Sequence, residues 1–304
     1  MIGDRPGLKS DPSTGLLINR RSRSGRVEAT LLEGLSRRGI RPGPVIRVRR
    51  PRGLARAVDT LLALGVERLI VAGGDGTLGS VAARLAWRDV VLGVLPTGTA
   101  NDFARTLAIP TDLDAAAGVI EAGNIRAVDL GMANDAYFLN VASLGLSVAA
   151  TSELSPALKR LFGPLAYAYA GAVAFARHPA FRVLIRNGPD SVETSALQVV
   201  VGNGRFYGGG VLVSRAGSLE DGLLHAYALG TRGRWDLLRT VAMLRLGVPI
   251  ERPGDCFLQT TGLEVETWPP MDVNCDGEIR TRTPVRFEVE PGALRVLAPP
   301  SLIG

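Results

Sequence analysis

Five consecutive residues, Gly73-Gly74-Asp75-Gly76-Thr77, combine backbone freedom, a carboxylate and a hydroxyl in an order that suits a phosphate site. Glycines let the backbone approach phosphate oxygens, and the amino end of a following helix adds amide donors and a partial positive charge. Asp75 sets a condition. A carboxylate in a phosphate loop repels its ligand unless a cation intervenes. A magnesium-bound nucleotide brings that cation with it; a nicotinamide dinucleotide does not. Gly74 to Gly79 also satisfies G-x-G-x-x-G, but a lone match of that pattern is weak evidence. The acid expected about 20 residues onward falls poorly, near the Leu92 to Pro96 strand. A purely structural tight turn is the plain alternative. A Walker loop is excluded, because neither lysine, Lys9 or Lys159, follows a glycine. Protein-kinase signatures are absent, with no lysine on any predicted strand of the first part.

A second stretch, Pro96-Thr97-Gly98-Thr99-Ala100-Asn101-Asp102-Phe103-Ala104-Arg105, also sits between a strand and a helix. Alone, it reads as a proline-glycine turn with an Asn-Asp cap. Paired with the first turn at the end of an adjacent strand, it would bring hydroxyls and amides to one crevice. Asp276-Gly277-Glu278 alone reads as a hairpin turn. His178 and His225 lie far apart in sequence, which leaves a zinc site or a Ser-His-Asp triad without support. Cys256 and Cys275 are too few for a disulfide framework and read as reduced thiols.

The elements that must position these residues alternate through the first 130 positions. Strands are predicted at Leu16-Leu17-Ile18, Val45 to Val48, Arg68 to Ala72 and Val90 to Leu95. Helices are predicted at Val27 to Leu35, Leu54 to Leu64, Leu78 to Leu85, near Asn101 to Leu107, and at Asp112 to Ala122. This rhythm implies a parallel sheet with helices on both faces and ligands beyond the carboxyl ends of its strands. After about Asp129 the texture changes to strands separated by turns. They include Tyr137 to Val141, Phe181 to Ile185, Leu197 to Val201, Leu223 to Ala228 and Val285 to Val289. Helical intervals interrupt near Ala157 to Arg177 and Trp235 to Leu246. The expectation is an α/β domain over 1–130, joined by the tail 298–304, and a mostly antiparallel β-rich domain over 131–297. A cleft between the two is expected to hold the site.

Composition narrows the partners. With 46% hydrophobic and 21% charged residues, the chain is an ordinary globular one. Met1 to Asp11 lacks the apolar run of a signal peptide. The uncharged, largely apolar stretch Leu161 to Ala176 is shorter than the ~20 residues of a membrane span. A cytoplasmic protein with only peripheral membrane contact is the expectation. The net charge of +6 is carried by arginines, 33 of the 35 basic residues, and they crowd the first part, among them Arg20, Arg21, Arg23, Arg47, Arg49, Arg50 and Arg52. Such charge attracts a nucleotide, an anionic membrane surface or a nucleic acid. No RNA-binding aromatic signature accompanies it.

The two loops together resemble those of the bacterial diacylglycerol kinase and lipid kinase family, related to sphingosine kinases. The loop at Gly73 is shared more widely, with NAD kinases and 6-phosphofructokinases; the loop at Pro96 resembles that of the lipid kinases specifically. Further likenesses follow in the family's order: Leu16-Leu17-Ile18-Asn19, Gly163-Pro164-Leu165-Ala166-Tyr167, Gly202-Asn203-Gly204 with Gly208-Gly209-Gly210, Asp221-Gly222-Leu223-Leu224 and Asp276-Gly277-Glu278. The resemblance implies transfer of the γ-phosphoryl group of ATP, with Mg2+, to a hydroxyl of a diacylglycerol-like lipid at the membrane surface. It implies that Gly73, Gly74, Asp75, Gly76, Thr77, Leu78 and Gly79, with Asn19 and Thr99, hold the nucleotide, and that Asp75 sits near the phosphates and their metal. Glu278 would accept the proton of the lipid hydroxyl. Asp221, with the backbone carbonyls of Ser218 and Leu223, would ligate a separate structural magnesium. The chain departs from the family pattern at Gly79-Ser80, where Asn-Glu is usual, and in the Arg20-Arg21-Ser22-Arg23-Ser24-Gly25 turn. A small-molecule kinase of the NAD kinase type and a non-catalytic lipid- or nucleotide-binding relative are the alternatives.

Overall fold

The computed structural model describes residues 10–19, 25–145, 180–207, 211–212, 217–230 and 256–300. The helices expected at Ala157 to Arg177 and Trp235 to Leu246, the Arg20 to Ser24 turn and Gly208-Gly209-Gly210 lie outside the described residues. The chain divides into two units, Met1–Val128 with Ala293–Gly304, and Asp129–Gly292.

The first unit is the predicted α/β alternation. Its elements are β1 (Thr14–Asn19), α1 (Gly25–Arg37), β2 (Val45–Val48), α2 (Leu54–Ala63), β3 (Arg68–Gly73), α3 (Asp75–Leu85), β4 (Val91–Pro96), α4 (Asp102–Thr106) and α5 (Leu113–Ala122). The sheet order is β2-β1-β3-β4, all parallel, and Arg295 and Val296 pair in parallel with β4 on its far side. Buried on both faces, its inner strands β1, β3 and β4 are continuous apolar runs rather than alternating ones. Leu16, Leu17, Leu69, Ile70, Val71 and Leu92 are essentially inaccessible. The register shows which helix covers which face. Gly15, Leu69 and Leu92 share a row, and a side chain at Gly15 would meet Leu61 of α2. In the next row, Leu16, Ile70 and Gly93, a side chain at Gly93 would meet Ile120 of α5. The buried face of α2, Leu54, Ala57, Val58 and Leu61, has the i, i+3, i+4, i+7 spacing of an amphipathic helix. Asp112 caps α5 by accepting the Ala115 N–H at 2.9 Å, and Gly123 ends it in the left-handed conformation at φ 72°.

The second unit is mostly antiparallel. Its elements are the end of β5 (Ile125–Ala133), β6 (Ala136–Phe138), β7 (Val141–Gly145), β8 (Phe181–Asn187), β9 (Asp190–Gly202), β10 (Phe206–Tyr207), β11 (Val211–Leu212), β12 (Leu224–Gly230), β13 (Cys256–Thr260), β14 (Gly262–Trp268), β15 (Asp272–Cys275), β16 (Glu278–Arg282) and the greater part of β17 (Val285–Leu297). Strands β16, β15, β7, β9, β8, β14 and β17 follow one another in the sheet, and β12 pairs with β9 and β13. Alternation organises the core: Leu263, Val265 and Thr267 of β14 are buried while Glu264 and Trp268 are exposed. Phe138 and Phe287 meet edge to face at 6.4 Å between ring centres. The single strand expected over Tyr137 to Val141 is two, broken at Leu139-Asn140. The N–H groups of Leu139, Asn140 and Val141 all turn to the Asp276 carboxylate, so the ladder cannot run through.

Candidate functional site

In the first unit, the two glycine loops lie against each other at the carboxyl ends of neighbouring strands. Gly73 pairs with Pro96, and the Thr97 N–H donates to the Gly73 carbonyl at 3.0 Å. Their contact is backbone on backbone. A Cβ added to Gly98 would lie 2.5 Å from the Gly74 Cα, and one added to Gly74 would lie 2.8 Å from the Gly98 Cα. A Cβ at Gly73 would lie 2.7 Å from that of Thr77. Packing alone therefore demands these three glycines. Gly76 is different: it is exposed, and a side chain there would meet nothing within 4 Å. Among the described residues no contact accounts for its missing side chain. It stands over the first turn of α3, where helical N–H groups have no intrahelical acceptor.

Asp75 binds the two loops together. α3 begins at Asp75, three residues before the apolar pattern that predicted it, so Asp75 belongs to a helical first turn. Its Oδ1 accepts the Phe103 N–H at 3.1 Å, which caps α4 from the other loop. The cap expected from Asn101 is not made. Asn101 adopts the left-handed conformation at φ 52°, accepts the Gly98 N–H at 3.0 Å and donates to the Gly98 carbonyl at 3.1 Å. Its side chain thus shapes the turn instead of capping the helix. Asn19, at the end of β1, donates from Nδ2 to the Thr77 Oγ1 at 2.7 Å. Thr99 is exposed beside Gly98, whereas the Leu78 side chain is fully buried, so only its backbone can face a ligand.

In the second unit, Asp276 and Gly277 turn at φ 50° and 93° between β15 and β16. Besides holding the N–H groups of residues 139–141, Asp276 donates its own N–H to the Val141 carbonyl at 3.0 Å, and the Gly277 N–H donates to the Asn274 Oδ1 at 2.8 Å. Asn203, entirely buried, donates to the Asp129 and Leu139 carbonyls at 2.8 and 3.0 Å. The segments 139–141, 203 and 274–277 are thereby interlocked. Glu278, the first residue of β16, stands at the exit of this rigid turn with its side chain about half exposed, paired with Arg280 at 2.6 Å. Asp276 is an anchor that in the sequence reads only as part of a turn. Nothing in its spacing announces the three amides it collects.

Asp221 organises the loop before β12. Its Oδ1 accepts the Leu223 N–H and its Oδ2 the Ser218 N–H, both at 2.9 Å, and Oδ2 lies 3.1 Å from the Nε2 of the buried His225. Burial pushes the Asp221 carboxyl up, but the bonds from His225, Ser218 and Leu223 outweigh it and hold the group below the usual range. Asp129, which accepts the Gly222 and Gly292 N–H groups at 2.8 Å, moves the other way. Burial raises it against those two bonds, and the nearby carboxylates of Asp221 and Glu220 raise it further. Asp129, Glu220 and Asp221 thus lie close enough to feel one another's charge. Among the described residues no group of three or more His, Cys, Asp or Glu side chains could hold a metal. A cation here would rest on carboxylate, backbone carbonyls and water, which is how magnesium is usually held.

Comparison with known proteins covers both units. A family model described as the diacylglycerol kinase catalytic domain matches residues 14–133, and one described as the YegS C-terminal NAD kinase beta sandwich-like domain matches residues 140–298. The chain is 37% identical over 246 residues to "Probable lipid kinase YegS-like" of Pseudomonas aeruginosa (strain UCBPP-PA14), covering 80% of each chain. It is 31% identical over 297 residues to the protein of the same name from Enterobacter sp. (strain 638), covering 95% of this chain and 97% of that one. Its fold matches a crystal structure of a diacylglycerol kinase from Bacillus anthracis str. Sterne with a TM-score of 0.73, over 95% of this chain and 98% of the other. At 22% identity this last likeness speaks for the fold alone.

Proposed function

The chain belongs to the YegS-like lipid kinases, and from that premise we propose that it transfers the γ-phosphoryl group of ATP to a hydroxyl of a diacylglycerol-like lipid. The observation that carries this reading is the pair of loops locked backbone to backbone, with open space over Gly76 on the first turn of α3. Asn19, Thr99 and the backbone from Gly73 to Gly79 would hold the nucleotide, with Asp75 serving its metal. Bound ATP with Mg2+ supplies the activated phosphoryl group and neutralises the charge that spreads over it in transfer. Glu278 takes the proton of the acceptor hydroxyl, a role that a half-exposed carboxylate on a rigid turn can fill. Labelled ATP offered with diacylglycerols, sphingoid bases, phosphatidylglycerol and NAD tests the proposal. Label in a diacylglycerol supports it; label in NAD alone, or in none of the acceptors, sinks it.

The glycines provide a second test, because the fold and the ligand require different ones. Gly98→Ala drives a Cβ into the Gly74 backbone and is expected to cost about 1–3 kcal/mol, as overpacking does. Gly76→Ala meets open space in a helical turn, where alanine is favoured by up to about 1 kcal/mol. It should melt at or above the parent temperature yet lose ATP affinity. A Gly76→Ala protein that binds ATP as the parent does would remove the nucleotide from this loop.

The Asp221 loop, read as a structural magnesium site, makes its own prediction. A ligand that binds only the folded state, at 100 times its Kd, adds about 2.7 kcal/mol of stability. Magnesium without nucleotide should therefore raise the melting temperature of the parent and leave that of Asp221→Ala unmoved. An equal rise in both proteins counts against the site.

A further inference from the structure

Four arginines in eight residues, Arg49, Arg50, Arg52 and Arg56, are exposed and have no ion pair or hydrogen-bonded side-chain partner among the described residues. Elsewhere in the first unit, arginines are spent on structure: Arg38 holds Asp114 and Glu121, Arg47 holds Glu28, and Arg84 holds Asp59. The charge is also unevenly shared along the chain. The first unit carries 20 basic and 12 acidic residues, the second 15 and 17.

Stability does not account for this cluster. It runs from the end of β2 into the first turn of α2, and no acid occurs between Val48 and Val58. The amino end of a helix carries partial positive charge and favours acids, so bases there work against the helix. Gly53 before it makes no side-chain cap. Four guanidinium groups and a helix amino end thus add their fields, and none of the four is paired with an acid among the described residues. Position supplies the second half of the inference. Val48 pairs with Asn19, whose side chain reaches Thr77, so the arginines leave the sheet at the same edge as the phosphate loops. β2 is also the lateral edge strand of this sheet. The cluster is an outward corner on the side of the two glycine loops.

We propose that Arg49, Arg50 and Arg52, with Arg56 behind them, dock the first unit on an anionic membrane surface with the carboxyl edge of its sheet toward the head groups. Its purpose rests on the lipid-kinase reading, in which the acceptor lies in a bilayer; the binding itself does not. An array of guanidinium groups spread along an exposed connection matches a plane of phosphodiesters, each such residue strengthening binding about fivefold.

The test is flotation with phosphatidylcholine vesicles, with and without phosphatidylserine. The phosphatidylserine head group has no hydroxyl to phosphorylate, so retention is not capture of an acceptor. The parent should float with the mixed vesicles, not with phosphatidylcholine alone, and high salt should release it. Replacing the three residues together, Arg49→Ala, Arg50→Ala and Arg52→Ala, should weaken partition on the order of a hundredfold. The melting temperature should stay level or rise, because like charges leave a helix amino end, and ATP affinity should be unchanged. The proposal is overturned if the parent ignores phosphatidylserine or if the triple variant floats as the parent does. It is equally overturned if the variant loses ATP affinity while still floating, which would hand the arginines to the nucleotide. Tighter binding to a short nucleic acid duplex than to the mixed vesicles would also overturn it. Flotation without any lipid phosphorylation would sink the kinase reading and leave the docking surface standing.

Discussion

Glu278→Gln is expected to slow lipid phosphorylation about 10²- to 10⁴-fold, the usual worth of a general base, while ATP affinity and melting temperature stay at the parent values. Glutamine keeps the size of the side chain and can still accept hydrogen bonds; only the basicity is lost. Stability should not follow, because the Glu278–Arg280 pair is 51% and 44% exposed and such pairs contribute little. The turn itself is held by Asp276 and Asn274, which the substitution leaves alone. Gly277→Val makes the contrast: at φ 93° it meets no neighbour but is strained, so it should melt earlier for reasons unconnected with chemistry. Single-turnover measurements on both variants decide the matter. A glutamine variant with parental turnover would move the base elsewhere.

Asp75 calls for two substitutions, because its carboxylate has a structural partner. Asp75→Asn retains a carbonyl oxygen able to accept the Phe103 N–H and removes only the charge. It should melt within a few degrees of the parent and lose phosphoryl transfer by at least about 10²- to 10³-fold, as when a preorganised electrostatic group is removed. Asp75→Ala loses the same activity and also the cap on α4, at a further cost of about 1 kcal/mol. Melting curves and turnover on the pair separate the two roles. Full activity in the asparagine variant would leave Asp75 a purely structural residue.

The first unit was legible because its signals are local. The runs Arg68 to Ala72 and Val90 to Leu95, ended by glycine and by proline and followed by 3.6-residue periodicity, announce parallel strands and their helices. The loop glycines lie at the strand ends that such periodicity marks. What stayed hidden depends on partners distant in sequence. Asp75 reads as a ligand residue, and its bond to Phe103, 28 residues on, has no local signature. Asp276 binds amides 135 to 137 residues away, which both breaks the strand expected over Tyr137 to Val141 and fixes the Glu278 turn. β14 has clean alternation, but its acids Glu264 and Glu266 interrupt the apolar run on which a strand is usually recognised. Ser218, Asp221 and Leu223 were placed by resemblance alone. The His225 and Asp129 contacts around them come only from the fold.

The route of the last strand has a consequence for anyone wishing to handle the units separately. β17 begins among the antiparallel strands, pairing with β14 through Val285 to Glu288, and ends in the first unit, where Arg295 and Val296 pair with β4 and the Ala298 N–H reaches the Asn124 carbonyl. The first unit is therefore discontinuous in sequence, and no single cut releases it whole. A fragment ending at Val128 would leave the β4 edge bare, with a row of unsatisfied backbone groups inviting pairing between copies. A recombinant first unit would have to carry residues 293–298 grafted after Val128, so the boundary for protein engineering is a splice, not a truncation.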